Sequence, residues 1–235
     1  MTKTLIDGDI VAYRIAFSCK DAPETYKFHT EALINFILDE CSFYNGTGDY
    51  EIYLTGKGNF RHEIAKSHEY KGNRKKAEKP VLLPDIREYL INRYRTTVSE
   101  GQEADDLIGI EATRVGPNVV IASGDKDMLQ LPATHFNFNK NAFRFVDEVK
   151  GIRFFYTQIL TGDAADNIKG LHRVGPVKAE KILKGISCED DLWKAVLNAY
   201  GNDRERAIEN ARLLWLRRYE GEIWEPPDQR NLKED

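Results

Sequence analysis

No apolar run in this 235-residue chain approaches the roughly 20 residues that a membrane-spanning helix needs. The opening MTKTLIDGD reaches charge too soon for a secretory leader, so the expectation is a protein of the cytoplasm with no membrane partner. Cysteine is scarce. Cys19, Cys41 and Cys188 are too scattered for a disulfide framework or a zinc pattern, which suits a reducing compartment. The phosphate-loop pattern G-x-x-x-x-G-K-[ST] is missing, which argues against nucleotide-driven work. So is any obvious Ser/His/Asp arrangement: His29, His62, His68, His135 and His172 stand in unrelated contexts and read as structural or surface groups. Repeats, low-complexity tracts and a clear linker are absent too. A positive balance is also lacking, since the net charge is −4, the wrong sign for a nucleic-acid binder taken at face value.

What is present is enough for a packed core: 41% apolar residues, with 11 Phe, 11 Tyr and 3 Trp. Short strands are expected over Thr4–Asp7, Glu51–Leu54 and Asn118–Ala122. Helices are expected over Ile10–Phe17, Glu31–Cys41, Leu83–Tyr94, Glu103–Arg114, Asp190–Tyr200 and Arg204–Tyr219. Residues 136–149 read as a hairpin turning at Asn139–Asn141, and Ile152–Leu160 leads into the segment considered next. Strands alternating with helices imply an α/β fold with a mainly parallel central sheet flanked by helices, expected as one domain over 1–235.

Thr161 to Leu183 joins two kinds of chemistry. Asp163 and Asp166, three apart, would share a face on a helical turn and reach one cation. Gly175 permits close backbone approach, and Pro176 suits a first helical position, where N–H groups can meet an anion. Lys178 and Lys181 follow on that helix. Other acids fall where a parallel sheet binds ligands, just past strand ends. Asp7 ends the first strand. Asp125 and Asp127, in SGDKD, follow NVVIA and would point the same way in an extended turn. Glu103, Asp105 and Asp106 open a helix, where acids also serve the dipole; Asp7 or SGDKD singly could be a cap or a turn. Four such clusters together point to a cation site. Oxygen-only ligands favour magnesium, with manganese able to substitute, over zinc. Two such ions about 4 Å apart suit phosphodiester hydrolysis. With those eight carboxylates counted as neutralised, the balance moves from −4 to +4. Lys57 to Arg95 holds 11 Lys/Arg against 5 Asp/Glu, including the run YKGNRKK, which by itself reads as a solvated loop.

These pieces, in order, carry a family likeness: IDGD at 6–9, EYKGNR at 69–74, EADD at 103–106, SGDKD at 123–127, GDAADN at 162–167 and GLHRVGPVKA at 170–179. The chain resembles the 5′-nuclease superfamily of flap endonucleases and 5′→3′ exonucleases, most of all free-standing bacteriophage members. The resemblance implies a first metal held or oriented by Asp7, Glu103, Asp105, Asp106, Asp125 and Asp127, with Asp106 and Asp125 central to catalysis. It implies a second metal served by Asp163 and Asp166. The basic run becomes an arch or gateway at about 60–95, in which Lys71 and Arg74 grip phosphates near the scissile bond and Tyr70 stacks on a base. Gly170 to Ala179 becomes a helix–turn–helix hairpin, within about 160–185, that grips duplex DNA through Gly175 and Lys178. Relatives can bind potassium at that turn.

The implied activity is 5′→3′ exonuclease and flap endonuclease action on DNA by a monomer. The alternatives are a ribonuclease acting on RNA–DNA hybrids and a DNA-binding protein with impaired catalysis. One departure stands out. The family's further aspartate after the second strand is replaced here by Thr55-Gly56. Asp9 is expected either to compensate, in which case Gly56→Asp would rescue its loss, or to cap the following helix.

Overall fold

Apolar strands paired with amphipathic helices give the first part of the chain a layered α/β architecture. The computed structural model describes residues 2–230 apart from 47, 77 and 202. The strands are β1 (Lys3–Asp7), β2 (Tyr50–Lys57), β3 (Thr96–Glu100), β4 (Val119–Ala122), β5 (Ala133–Asn137), β6 (Ala142–Val146), β7 (Gly162–Asp163) and β8 (Ile168–Lys169). The helices are α1 (Gly8–Ser18), α2 (Tyr26–Asn45), α3 (Arg61–Ile64), α4 (Leu83–Arg93), α5 (Ala104–Val115), α6 (Glu148–Thr161), α7 (Pro176–Leu183), α8 (Glu189–Ala199), α9 (Arg204–Leu214) and α10 (Pro227–Arg230). None of the described helices is long and apolar enough to cross a membrane.

Within the span read as one domain, the chain packs as two compact units. One comprises Met1–Asn59, Glu78–Asp147 and Arg218–Glu220; the other comprises Phe60–Ala77, Glu148–Arg217 and Gly221–Asp235. The first unit holds a six-stranded sheet ordered β3-β2-β1-β4-β5-β6. All neighbours pair in parallel except β5 and β6. β1 and β4 are buried along their whole length, as central strands covered on both faces must be. Ile6, Ile52, Leu54, Val120 and Ala122 meet Val11, Ile15, Ile34, Ile37, Ile86 and Leu90 of α1, α2 and α4 in one core. The chain runs outward from β1 to β3, then restarts on the other side of β1 with β4. That places a topological switch point between β1 and β4, where ligands bind in open α/β sheets.

The second unit is mostly helical, with Phe155, Tyr156, Ile159, Leu160, Trp193, Leu214 and Trp224 in its core. Arg61 is buried there. Its Nε donates to the Leu213 carbonyl at 2.9 Å and its Nη2 to the Trp215 carbonyl at 2.7 Å, so a charged side chain ties α3 to the end of α9.

Three expectations are corrected. β3 adds a strand to those expected: TTVSE is only partly buried, because it is the outer strand of the parallel run, so it lacks an apolar signature. The last long helix stops at Leu214, since Trp215 turns extended with φ −65° and ψ 128°. Asp163 and Asp166 do not share a helical face. Asp163 ends β7, a two-residue strand antiparallel to β8, and Asp166 sits in the turn between them.

Candidate functional site

At the switch point the ends of β1 and β4 bring two acids to one serine. Asp7 is the N-cap of α1, its Oδ1 accepting from the Ile10 amide at 3.0 Å. Its Oδ2 accepts from the Ser123 hydroxyl at 2.6 Å, and that same oxygen, Ser123 Oγ, accepts from the Asp125 amide at 2.9 Å. Gly8 allows this arrangement, because a Cβ there would lie 2.6 Å from the Tyr53 carbonyl on the neighbouring strand. Burial pushes the Asp7 carboxyl up to about 7, with the negative charges of Asp9 and Asp125 adding to it, against the Ser123 and Ile10 hydrogen bonds. A carboxylate offers about four lone-pair sites, so capping and hydroxyl binding leave room for a cation.

Asp125 Oδ1 accepts from the Asp127 amide at 2.8 Å, and Asp127 starts a short 3-10 turn, with Lys126 Nζ 4.0 Å from its carboxylate. The segment is therefore wound rather than extended, and the alternation expected to aim both acids alike does not apply. Glu103 and Asp106 form a reciprocal capping box at the start of α5, in which Asp106 Oδ2 accepts from the Glu103 amide at 3.1 Å. Asp105 is half-buried in the same first turn. The structural roles weighed for these acids are thus real, and they fix where the carboxylates stand.

Among the described residues, no three His, Cys, Asp or Glu side chains close into an ion cage. Spaced carboxylates suit magnesium or manganese better than zinc. Magnesium keeps several waters and takes one or two carboxylates directly, whereas zinc draws three or four protein ligands, mostly His and Cys, into a tetrahedron. The donor set on this sheet edge therefore fits a hard divalent cation.

Where the second strand ends, the sequence has no acid. Thr55 N–H donates to Asp9 Oδ2 at 3.0 Å, Arg87 Nη1 lies 2.6 Å from Asp9 Oδ1, and Arg87 Nη2 donates to the Thr55 carbonyl at 2.5 Å. Asp9 neither caps α1, a task taken by Asp7, nor stands as an uncompensated charge. Gly56 cannot accept a side chain, since its Cβ would fall 1.9 Å from the Ser99 carbonyl oxygen. The expected Gly56→Asp rescue is excluded by that contact.

In the helical unit, the EYKGNR segment wraps the β7–β8 turn. Lys71 N–H donates to the Asp166 carbonyl at 2.9 Å, Asn73 Nδ2 to the Ala164 carbonyl at 2.8 Å, and Arg74 Nε to the Ala165 carbonyl at 2.9 Å. The Asp166 carboxylate takes the Tyr70 hydroxyl at 2.8 Å and Arg74 Nη2 at 2.6 Å, with Lys71 Nζ 3.7 Å away. Lys71 adopts φ +54°, a left-handed conformation uncommon outside glycine, which this web of bonds holds in place. Asp163 is buried, its Oδ1 accepting from the Ala165 and Asp166 amides at 2.6 and 3.3 Å. Tyr70 is only 2% exposed, so its ring is core and is not presented to a base. Gly175 and Lys178 are exposed at the start of α7, and a Cβ on Gly175 would meet no protein atom within 4 Å. The helix before this turn is α6, separated from it by the β7–β8 hairpin, so the expected helix–turn–helix contains an inserted pair of short strands.

Sequence reasoning missed Ser123, Thr55, Arg87, Asn73 and Asn167, whose Nδ2 donates to the Glu69 carbonyl at 2.9 Å. Ser123, Asn73 and Asn167 had a visible signal through their places in SGDKD, EYKGNR and GDAADN, and Thr55 through the missing acid; Arg87 had none.

The chain belongs to the family of 5′→3′ exonuclease N-terminal, resolvase-like domains, whose model matches residues 2–155, and with it to the 5′-nuclease superfamily. DNA polymerase I of Bacillus subtilis is 31% identical over 230 residues, covering 87% of this chain and 26% of the polymerase. DNA polymerase I of Bacillus caldotenax is 30% identical over 250 residues, covering 91% of this chain and 28% of the polymerase. The chain thus spans about a quarter of the length of these relatives. Among solved structures, the D15 protein of bacteriophage T5, co-crystallised with metal ions, matches with a TM-score of 0.72 and 17% identity, covering 91% of this chain and 89% of its own. The catalytic core of Rad2 in complex with a DNA substrate matches with a TM-score of 0.54 and 14% identity, over 99% of this chain and 86% of its own. These two likenesses establish a shared α/β fold.

Proposed function

We propose that the chain is a magnesium-dependent nuclease that hydrolyses DNA phosphodiester bonds from a 5′ end and cleaves 5′ flaps. The observation that carries this reading is the meeting of the Asp7 carboxylate and the Asp125 amide on Ser123 Oγ at the switch point, where burial pushes the Asp7 carboxyl up to about 7 and the charges of Asp9 and Asp125 add to it. Carboxylates arranged against one another in this way gain from a cation. The family match and the metal- and DNA-bound states of the T5 and Rad2 proteins support the same reading.

A divalent ion on this edge would lower the pKa of a bound water and stabilise charge growing on phosphate oxygens. In this proposal Asp7, Glu103, Asp105, Asp106, Asp125 and Asp127 hold or orient one ion, and Asp163 and Asp166 serve a second. Lys71 and Arg74 exchange Asp166 for substrate phosphates, where positive charge favours the transition state. The exposed Gly175 and Lys178 meet duplex phosphates at the start of α7, and a potassium ion at the turn before it belongs to the same picture. In this proposal the chain acts as a monomer.

The test is cleavage of 5′-labelled flap, nicked duplex and RNA–DNA hybrid, with magnesium and with EDTA. Asp106→Asn and Asp125→Asn are expected to abolish cleavage while DNA affinity holds or rises, since each removes negative charge near phosphate. Asn can still accept the Glu103 and Asp127 amides, so both variants should fold. Full activity in either variant, or in EDTA, refutes the proposal.

A further inference from the structure

At the end of β2 the amide, carbonyl and hydroxyl of Thr55 are all bonded, two of the three to one ion pair. Asp9 accepts the Thr55 amide, Arg87 donates to the Thr55 carbonyl, and the two side chains pair with each other at 2.6 Å. Arg87 uses the two arms of its guanidinium fork, one for the carboxylate and one for the carbonyl, a geometry that lysine lacks. The result is a ring closed around a single residue. Thr55 then passes the constraint on, because its Oγ1 accepts from the Ala104 amide at 2.9 Å, the first residue of α5. The next amide, that of Gly56, donates to Ser99 Oγ at 3.1 Å, whose hydroxyl donates to the Gln102 carbonyl at 2.6 Å, just before α5. The pairing of β2 with β3 shifts register between Leu54 and Lys57, so the sheet ladder alone does not fix this stretch.

We infer that Asp9 and Arg87 form a charge-neutral clamp on the end of β2 that sets the position of the first turn of α5, with Asp105 and Asp106. Asp9 is on this account a positioning residue for the cation-binding edge and not a ligand. The inference rests on the cation-dependent reading above. Its distinguishing feature is charge: Asp9 and Arg87 carry opposite signs but do the same job. Removing either should therefore change cation affinity in the same direction. A ligand role for Asp9, with Arg87 as its electrostatic rival, requires opposite directions.

The experiment is Mn²⁺ binding without DNA, followed by electron paramagnetic resonance, on the full chain and on Asp9→Asn, Arg87→Met and the double variant. Both single variants are expected to bind Mn²⁺ about three- to tenfold more weakly, and the double variant no more weakly than either, as members of one unit behave. Arg87→Lys, which keeps the ion pair and loses the fork, should fall between. Tighter binding by Arg87→Met overturns the clamp, as does unchanged affinity in both single variants accompanied only by a lower Tm. Hydrogen exchange on the same proteins gives a readout independent of any ion. Amides at 55 and 104 should exchange at least about tenfold faster in both single variants, while those of β4 stay protected. If the wild-type chain binds no Mn²⁺, the cation reading fails and exchange alone decides the clamp; an Ala104 amide unaffected by either substitution refutes it.

Discussion

Asp7 does several things with one carboxyl: it caps α1, accepts the Ser123 hydroxyl and faces the charge of Asp125. Its pKa is raised well above the unfolded value of about 3.9, so the folded chain binds a proton that the unfolded chain has lost. Stability from this group is therefore greatest below about pH 4 and declines as pH rises toward about 7. The penalty above that pH is on the order of a few kcal/mol without a divalent ion. Asp7→Asn, which keeps an acceptor for the Ile10 amide, should have a higher Tm than wild type at pH 8 in EDTA, with the gap shrinking toward pH 5. A pH-independent difference would mean that Asp7 is neutralised by other means. Lys71 poses the opposite case, a cation already occupied. On the role proposed for it, a cation acting where charge develops, Lys71→Ala is expected to lower the single-turnover cleavage rate about a hundredfold, with duplex affinity changed by less than about threefold. A loss confined to affinity would make Lys71 a remote phosphate contact.

At the level of elements, the turn before α7 offers the cleanest contrast between packing and partner. Gly175 has open space around its Cα, so Gly175→Val should leave the Tm nearly unchanged. Any fall in duplex binding then reports the approach of a phosphate backbone. Lys178→Ala should weaken all duplex sequences alike and reduce the salt slope by about one unit; an unchanged slope would remove this helix from the interface. The period-2 and period-3.6 patterns made β1, β4, α1, α4 and α5 legible, as did the turn residues around Asn139–Asn141. The edge placement of Asp7 and Asp125 was legible too, because strand ends in parallel sheets gather on one side. What was not legible depended on long-range pairing. β3 shows no alternation, since it is a half-exposed outer strand. The β7–β8 turn looked helical because Asp163 and Asp166 are three apart, yet it is shaped by amides folding onto Asp163 and by the EYKGNR wrap. Asp9 looked like spare charge because Arg87, 78 residues away, gives no local sign of pairing with it.

For the whole molecule, the family match ends at residue 155, but the structural dependencies do not. Phe60–Ala77 packs with Glu148–Arg217, and the buried Arg61 has its carbonyl partners at Leu213 and Trp215. A fragment covering residues 1–155 should keep the sheet, whose strands end at Val146, while trypsin cuts rapidly within 61–76; in the full chain those sites should be slow. Equal protection in both would show that this segment folds on local contacts. The same interleaving has a consequence in time. The sheet is complete once β6 has left the ribosome, but Tyr70 and Arg61 must wait for residues 148–217 before they have anything to pack against. Synthesis at about 5–20 residues per second puts that delay at roughly 4–14 s. Through that interval a nascent chain displays a basic segment with its tyrosine unpacked, and a chaperone has that long to find it.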